Sequence, residues 1–233
     1  MVETATIADQ IRARLQPKPD QPESEPESNQ PVQAIRIDAS EAEYWEAVAE
    51  LADELSSPEY DVEYIHHQIH AKASQASDNH ETSVLNIGAA LRQLFYNQAD
   101  IRVMGSNKLI YIPACQLAVN ADVLVMKGPS QVLPRPGKGA GIVNPYMLIE
   151  VHSDSTERND LFVKFDCYKK LESLHQIIYV SQHKAQVSVF TQNGDTHHWL
   201  NDDYDQPDAV IDLGTGSLSL ADIYHKITFA SAD

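Results

Sequence analysis

Apolar positions along the chain repeat first at helical and then at strand spacing, and this change organises the reading. Ile7, Ile11 and Leu15 recur at helical spacing, a short amphipathic stretch open to two readings, a docking segment or a frayed terminus. Residues 16–34 are rich in proline, Glu, Ser and Gln and almost without apolar side chains. They cannot bury enough surface to offset ordering entropy, which predicts a disordered linker. Order is expected to begin near Ala34. Ser40 followed by Glu43 forms a capping-box pattern opening a helix to about Leu55, with Tyr44, Val48, Leu51 and Leu55 on one stripe and Pro58 ending it. Tyr60–Tyr64 and His67–Ala71 predict a hairpin. Asp78 or Asn79 is expected to cap a second helix whose apolar face is Val84, Ile87, Leu91 and Leu94.

From Ile101 the period becomes that of strands: IRVM, KLIYIP and ADVLVMKG predict three adjacent strands. The Gly- and Pro-rich segment from Gly128 to Pro145 reads as a loop, and Tyr146–His152 as a central strand buried on both faces. Ser153–Thr156 is expected to cap a helix running through Leu171. QIIYVS and AQVSVFTQ follow as strands, the second turning at Asn193-Gly194 into DTHHWL, and residues 201–208 form a polar loop. VIDL and a short helix from Leu220 to Tyr224 close a mixed α/β arrangement, a central sheet flanked by helices. The division expected is an acidic, Pro-rich, disordered extension over 1–39 and one folded domain over 40–233.

Composition adjusts this picture. With 233 residues, 42% of them hydrophobic, the chain can bury one real core plus an appendage. Lacking an apolar run of the roughly 18 to 20 residues that a span needs, and a signal-peptide block at its start, it is expected to be cytoplasmic and away from membranes. Cys115 and Cys167 have no metal-type spacing and are expected to be free thiols of a reducing compartment. The net charge is −17, and residues 1–60 hold 14 acidic and 4 basic side chains of the totals 34 and 17. So acidic a chain gains no broad affinity for a phosphate backbone, but it has room for a carboxylate-lined cation site.

Asp122 and Glu150 stand inside apolar strands, where an ionised carboxylate costs several kcal/mol unless its desolvation is offset. Two explanations are open. Each acid pairs with a nearby Lys or Arg or emerges at a sheet edge, or a hard divalent cation lies between the strand ends. Glu150 and His152 share a strand face, and the following helix carries Lys164 on a turn that packs back toward the sheet. These residue types suit metal-assisted phosphodiester hydrolysis, in which a cation activates water and an ammonium stabilises developing charge.

In order, DVLV at 122–125, the Pro/Gly-rich loop, LIEV at 148–151, SDSTERND at 153–160, KFDCY at 164–168 and IIYVS at 177–181 resemble the Uma-two family within the PD-(D/E)XK nuclease superfamily. The likeness runs from about Pro58 to the end, taking in DNH at 78–80 and the tail DAVIDL to ADIYHKITF. It implies a restriction-endonuclease-like fold, a divalent metal (Mg2+ or Mn2+) and a nucleic-acid substrate. On the matching positions Asp122 and Glu150 are the motif acids, Glu63 is an upstream acid that joins them on the metal, Lys164 is a lysine moved to the helix, and His80 is a secondary site residue. Ala121 departs from the usual proline. His152 occupies the superfamily's lysine position, where it could ligate metal, act as a base or be a hydrogen-bonded sheet histidine.

The expected activity is that of a metal-dependent endodeoxyribonuclease, with RNA as the nearest other substrate and a homodimer as the usual way to cut both strands. The alternative is a catalytically inactive nuclease-fold module used for binding or regulation. Other features read as structural. The remaining histidines form no metal pattern, Ser155 and Thr156 lie outside any nucleophile elbow, Trp199 and the tyrosines at 44, 60 and 64 suit packing, and the aspartates from 202 to 208 lack a calcium-loop glycine.

Overall fold

The computed structural model describes residues 5–15, 34–51, 60–73, 76–134, 140–152, 157–194 and 198–229. Most of the predicted linker, the end of the first predicted helix stripe, the Ser153–Thr156 cap and residues 195–197 lie outside them. The helices are α1 (Ile7–Leu15), α2 (Glu41–Glu50), α3 (Asp78–Leu94), α4 (Glu157–Tyr168) and α5 (Leu220–Ile223). In chain order the strands begin with β1 (Ala34–Asp38), β2 (Tyr60–Ile65), β3 (Gln68–Ala73), β4 (Ile101–Gly105), β5 (Leu109–Ile112), β6 (Leu117–Asn120) and β7 (Val123–Lys127). They continue with β8 (Val132–Pro134), β9 (Ala140–Ile142), β10 (Met147–His152), β11 (Gln176–Ser181), β12 (Val187–Gln192), β13 (Trp199–Tyr204), β14 (Val210–Asp212) and β15 (Ser217–Ser219).

Two compact units divide the chain. The first holds residues up to Gln75 with Gln116–Val119 and Pro134–Ala140, and the second holds the rest. In the first, β3 lies between β1 and β2, antiparallel to both, and β2 meets β6 at Tyr64 and Ala118. β1 is a strand that the hydrophobic period did not reveal. The capping box forms as predicted: Ser40 Oγ accepts from Glu43 N, and Glu43 Oε2 accepts from Ser40 N at 2.7 Å. Tyr44, Trp45 and Tyr64 are buried, and the Tyr44 and Tyr64 rings stack at 5.1 Å, so these aromatics pack the unit.

The second unit is built on a six-stranded sheet of order β13-β12-β11-β10-β7-β4. Its strands are antiparallel except for β10 and β11, whose parallel pairing requires the crossover that α4 supplies. β10 is central, as its apolar run predicts. α3, α5 and the β14–β15 hairpin cover one sheet face, with Ile87, Leu91, Val123, Val125, Ile149, Ile178 and Ile223 in a single apolar core.

Several predicted elements differ in position or partner. Ser77, not Asp78 or Asn79, caps α3, its hydroxyl accepting from His80 N at 3.1 Å, while Asn79 Nδ2 donates to the carbonyls of Gln182 and Thr228. Of the three strands predicted after Ile101, β4 and β7 are neighbours, whereas β5 lies in another sheet and pairs with β9 through Ile110 and Ile142. Alternation identifies a strand without naming its partner. β8 and β9 lie within the predicted loop, and Gly141 is required there because a Cβ would come within 2.2 Å of Tyr111 Cβ. β13 extends over Asn201–Tyr204, predicted as loop; it is an edge strand whose exposed positions tolerate aspartates.

The largest correction concerns the cysteines. Cys115, in a one-turn 3-10 segment after β5, and Cys167, in the last turn of α4, form a disulfide with 5.9 Å between their Cα atoms. Their separation of 52 residues suggested free thiols, but separation along the chain sets no distance in the fold.

Candidate nuclease site at the end of β7 and β10

The antiparallel register of β7 and β10 ends with Val123 opposite Ile149, so Asp122, the residue before β7, and Glu150, the residue after Ile149, lie at the same end of the strand pair. Each carboxylate has a donor of its own. Asp122 Oδ2 accepts the Val151 amide at 2.7 Å and lies 3.4 Å from His80 Nε2 at the start of α3. Glu150 Oε1 accepts the Tyr168 hydroxyl at 2.7 Å, within the range of bonds to an ionised carboxylate.

Opposing influences act on His80. Burial lowers its pKa, but the hydrogen bond and charge of Asp122, with a smaller share from Glu81, outweigh burial and leave it above the ordinary 6.5. The imidazolium form is thereby favoured beside Asp122. Tyr179, paired in register with Glu150 on β11, is held neutral: burial raises its pKa strongly and the Glu150 charge adds to this. Its hydroxyl is buried with no hydrogen-bond partner among the described residues, and its ring lies 5.7 Å from His152 and 6.4 Å from Phe165 of α4.

Of the residues singled out from the sequence, Asp122 and His80 come together, and Glu150 lies at the same end of the β7–β10 pair. His152 is half-buried and shares the Glu150 face of β10, two residues beyond it. Lys164 is half-buried on α4, one turn before Tyr168 and on the same side of the helix. Glu63 is buried on β2 of the first unit, opposite His70 on β3.

Tyr168 is the residue that sequence reasoning passed over. The signal was present in KFDCY, where Tyr168 follows Lys164 at the i+4 spacing that puts both on one helix face. Among the described residues no group of three or more His, Cys, Asp and Glu could hold a metal ion. The second unit offers a two-carboxylate set, hard oxygen donors of the kind magnesium takes from a protein when water and phosphate complete its shell.

A mixed sheet flanked by helices defines a restriction-endonuclease-like fold. Residues 45–221 match the Uma2 family, described as "Putative restriction endonuclease", and the chain belongs to that family. A search of curated proteins finds no match. Among solved structures the chain resembles a putative nuclease belonging to DUF820 from Anabaena variabilis ATCC 29413, at 17% identity and a TM-score of 0.56. That likeness covers 75% of this chain and 96% of the other. Among the described residues no helix is long and apolar enough to cross a membrane.

Proposed function

We propose that the chain is a cytoplasmic endodeoxyribonuclease that hydrolyses DNA phosphodiester bonds with Mg2+ or Mn2+, Asp122 and Glu150 being the protein ligands of the cation. The placement of these two acids at one end of the β7–β10 pair, in a chain of a nuclease-type family, supports the reading. Their oxygens fit a hard cation, and a bound cation would polarise a nonbridging phosphate oxygen and lower the pKa of the attacking water.

The protein's own groups have separate tasks in this reading. The Val151 amide and His80 Nε2 orient the Asp122 carboxylate, and the Tyr168 hydroxyl orients that of Glu150. Lys164 supplies positive charge where negative charge develops on the phosphate. His152, beside Glu150 on the same strand face, takes the proton of the attacking water. The reading rests on the second unit alone and does not need Glu63. One centre cuts one strand, so a homodimer is the form expected for a double-strand break.

Cleavage of supercoiled plasmid and single-stranded DNA with Mn2+, Mg2+ or chelator tests this, comparing wild type with Glu150→Ala and Lys164→Ala. Metal-dependent nicking lost in both variants is the expected result; RNA cleavage in place of DNA cleavage would reassign the substrate. Well-folded protein that cuts nothing with any metal would overturn the reading. A second reading, a noncatalytic nuclease-fold module, is favoured by one observation: both acids already have protein donors. A Mn2+-dependent rise in Tm, expected for an occupied site, separates the two.

A further inference from the structure

The last turn of α4 carries two adjacent residues with unusual partners. Tyr168 is fully buried and places its hydroxyl 2.7 Å from Glu150 Oε1. Cys167, also buried, is bonded to Cys115, so this turn is covalently tied to the 3-10 segment after β5. We propose that Tyr168 is a positioning residue for Glu150 and that the Cys115–Cys167 disulfide holds it in place, so that thiol reduction weakens cation binding at Glu150. The cation part of this inference rests on the metal-site reading above, whereas the Tyr168–Glu150 contact does not.

The tie acts on a short lever. Tyr168 is the last residue of α4, and helix ends fray unless something secures them. Beyond it the chain leaves the helix, Leu171 N donating to Tyr168 O at 3.0 Å in a tight turn. The bond that fixes the adjacent residue therefore sets where the Tyr168 phenol sits relative to β10. A phenol donor favours one orientation of the carboxylate, and its loss shifts which oxygen is presented to a cation. Lys164 lies one turn earlier on the same helix, so the lysine and the acid are both referred to α4.

Reduction is chemically accessible. Cys115 is half-buried whereas Cys167 is not exposed, so the thiolate of a dithiol such as dithiothreitol attacks the Cys115 sulfur. The S–S bond breaks, Cys167 leaves as a thiolate and takes a proton, and the second thiol of the reductant displaces Cys115. Two electrons and two protons pass to the protein, and the reductant ends as a cyclic disulfide.

The test uses the full chain, oxidised and after dithiothreitol, as wild type, Tyr168→Phe, Glu150→Gln and the double variant. Without metal, the four Tm values give the Tyr168–Glu150 coupling, expected to be about 3 °C in the oxidised protein and absent in the reduced one. With Mn2+ alone as the probe, affinity is expected to fall about tenfold on reduction and about tenfold in oxidised Tyr168→Phe, with no further loss when that variant is reduced. If reduction unfolds the chain, the Cys115→Ala/Cys167→Val pair takes its place in every comparison. Equal coupling in both redox states overturns the proposal, as does a loss on reduction that is undiminished in Tyr168→Phe. Failure of the oxidised wild type to bind Mn2+ removes the nuclease reading instead, and the metal-free coupling still decides the role of Tyr168.

Discussion

The two faces of the six-stranded sheet are built from alternate residues of the same strands and do opposite things. Met147, Ile149 and Val151 of β10 point to the face under α3 and α5, where they meet Val123, Val125 and Ile178 in an apolar core. Leu148, Glu150 and His152 point to the other face, where Tyr168 and Phe165 of α4 approach Glu150 and Tyr179. The first face is specified by volume and tolerates exchange of one apolar side chain for another of like size. The second is specified by individual hydrogen bonds, so its energy resides in few contacts and its errors are costly.

If the α4 side relies on a covalent tie as well as on polar contacts, the largest loss of stability comes from breaking that tie. Closing a loop with a separation of 52 residues is worth about 4 kcal/mol on the chain-entropy account. Cys115→Ser is expected to lose stability of that order, read as a lower midpoint in urea with a somewhat steeper slope, because the uncrosslinked denatured chain exposes more surface. An unchanged midpoint would mean that α4 is held by its packing alone. The same bond bears on location, because a reducing cytoplasm keeps thiols open. Trapping free thiols with alkylating reagent at the moment of lysis distinguishes the oxidised from the reduced state in cells.

On the apolar face the comparison is sharpened by Ile149→Ala, which removes a side chain only 1% exposed from the centre of the core. A loss of about 3 kcal/mol is expected from transfer and cavity terms together. The altered residue lies between Leu148 and Glu150 but faces away from the carboxylate, so plasmid nicking below the melting range should be retained. A variant that folds yet has lost cleavage would show that the two faces are not separable.

How far this division was legible follows from what alternation encodes. The period of two places Glu150 and His152 together, opposite Ile149 and Val151, and the apolar run marks β10 as central. It could not identify partners: nothing in LIYI says that β5 joins β9 and not β4, and the exposed aspartates of β13 mimic a loop because an edge strand needs few apolar residues. Cys115 and Cys167 look unrelated because their meeting depends on how the chain returns through β10 and α4. Asp122 and Glu150 stood out as charges in apolar strands, whereas Tyr168 was hidden by being a residue type that ordinarily packs.

A smaller effect, of opposite sign, is expected at Tyr179. Its hydroxyl is buried without a hydrogen-bond partner among the described residues, a condition that costs about 1 to 3 kcal/mol when nothing compensates. Tyr179→Phe keeps the ring contacts with Phe165 and Phe190 and removes only that oxygen. The variant is expected to be as stable as wild type or to gain about 1 kcal/mol. Destabilisation on chemical denaturation would mean that the hydroxyl has a partner in solution, such as an ordered water shared with Glu150.

The smallest effect distinguishes the two ends of β10. Glu150 and His152 occupy one end, and at the other Tyr146 precedes the strand with its ring stacked on His175 at 5.3 Å, the Lys127 ammonium 5.3 Å from the same ring. Burial, and then the Lys127 charge, hold the His175 pKa below the ordinary 6.5, with Asp212 opposing them. Between the lowered folded-state value and 6.5 the unfolded chain binds more protons than the folded one, so stability rises with pH there. The contribution is complete above pH 6.5 and is lost as the pH falls through the folded-state value. His175→Gln, which cannot titrate, should therefore show a shallower fall in Tm on the acid side of pH 6.5 than wild type, with matching slopes above it. Parallel curves throughout would mean that stacking on Tyr146 stabilises the imidazolium enough to cancel the burial and the Lys127 repulsion.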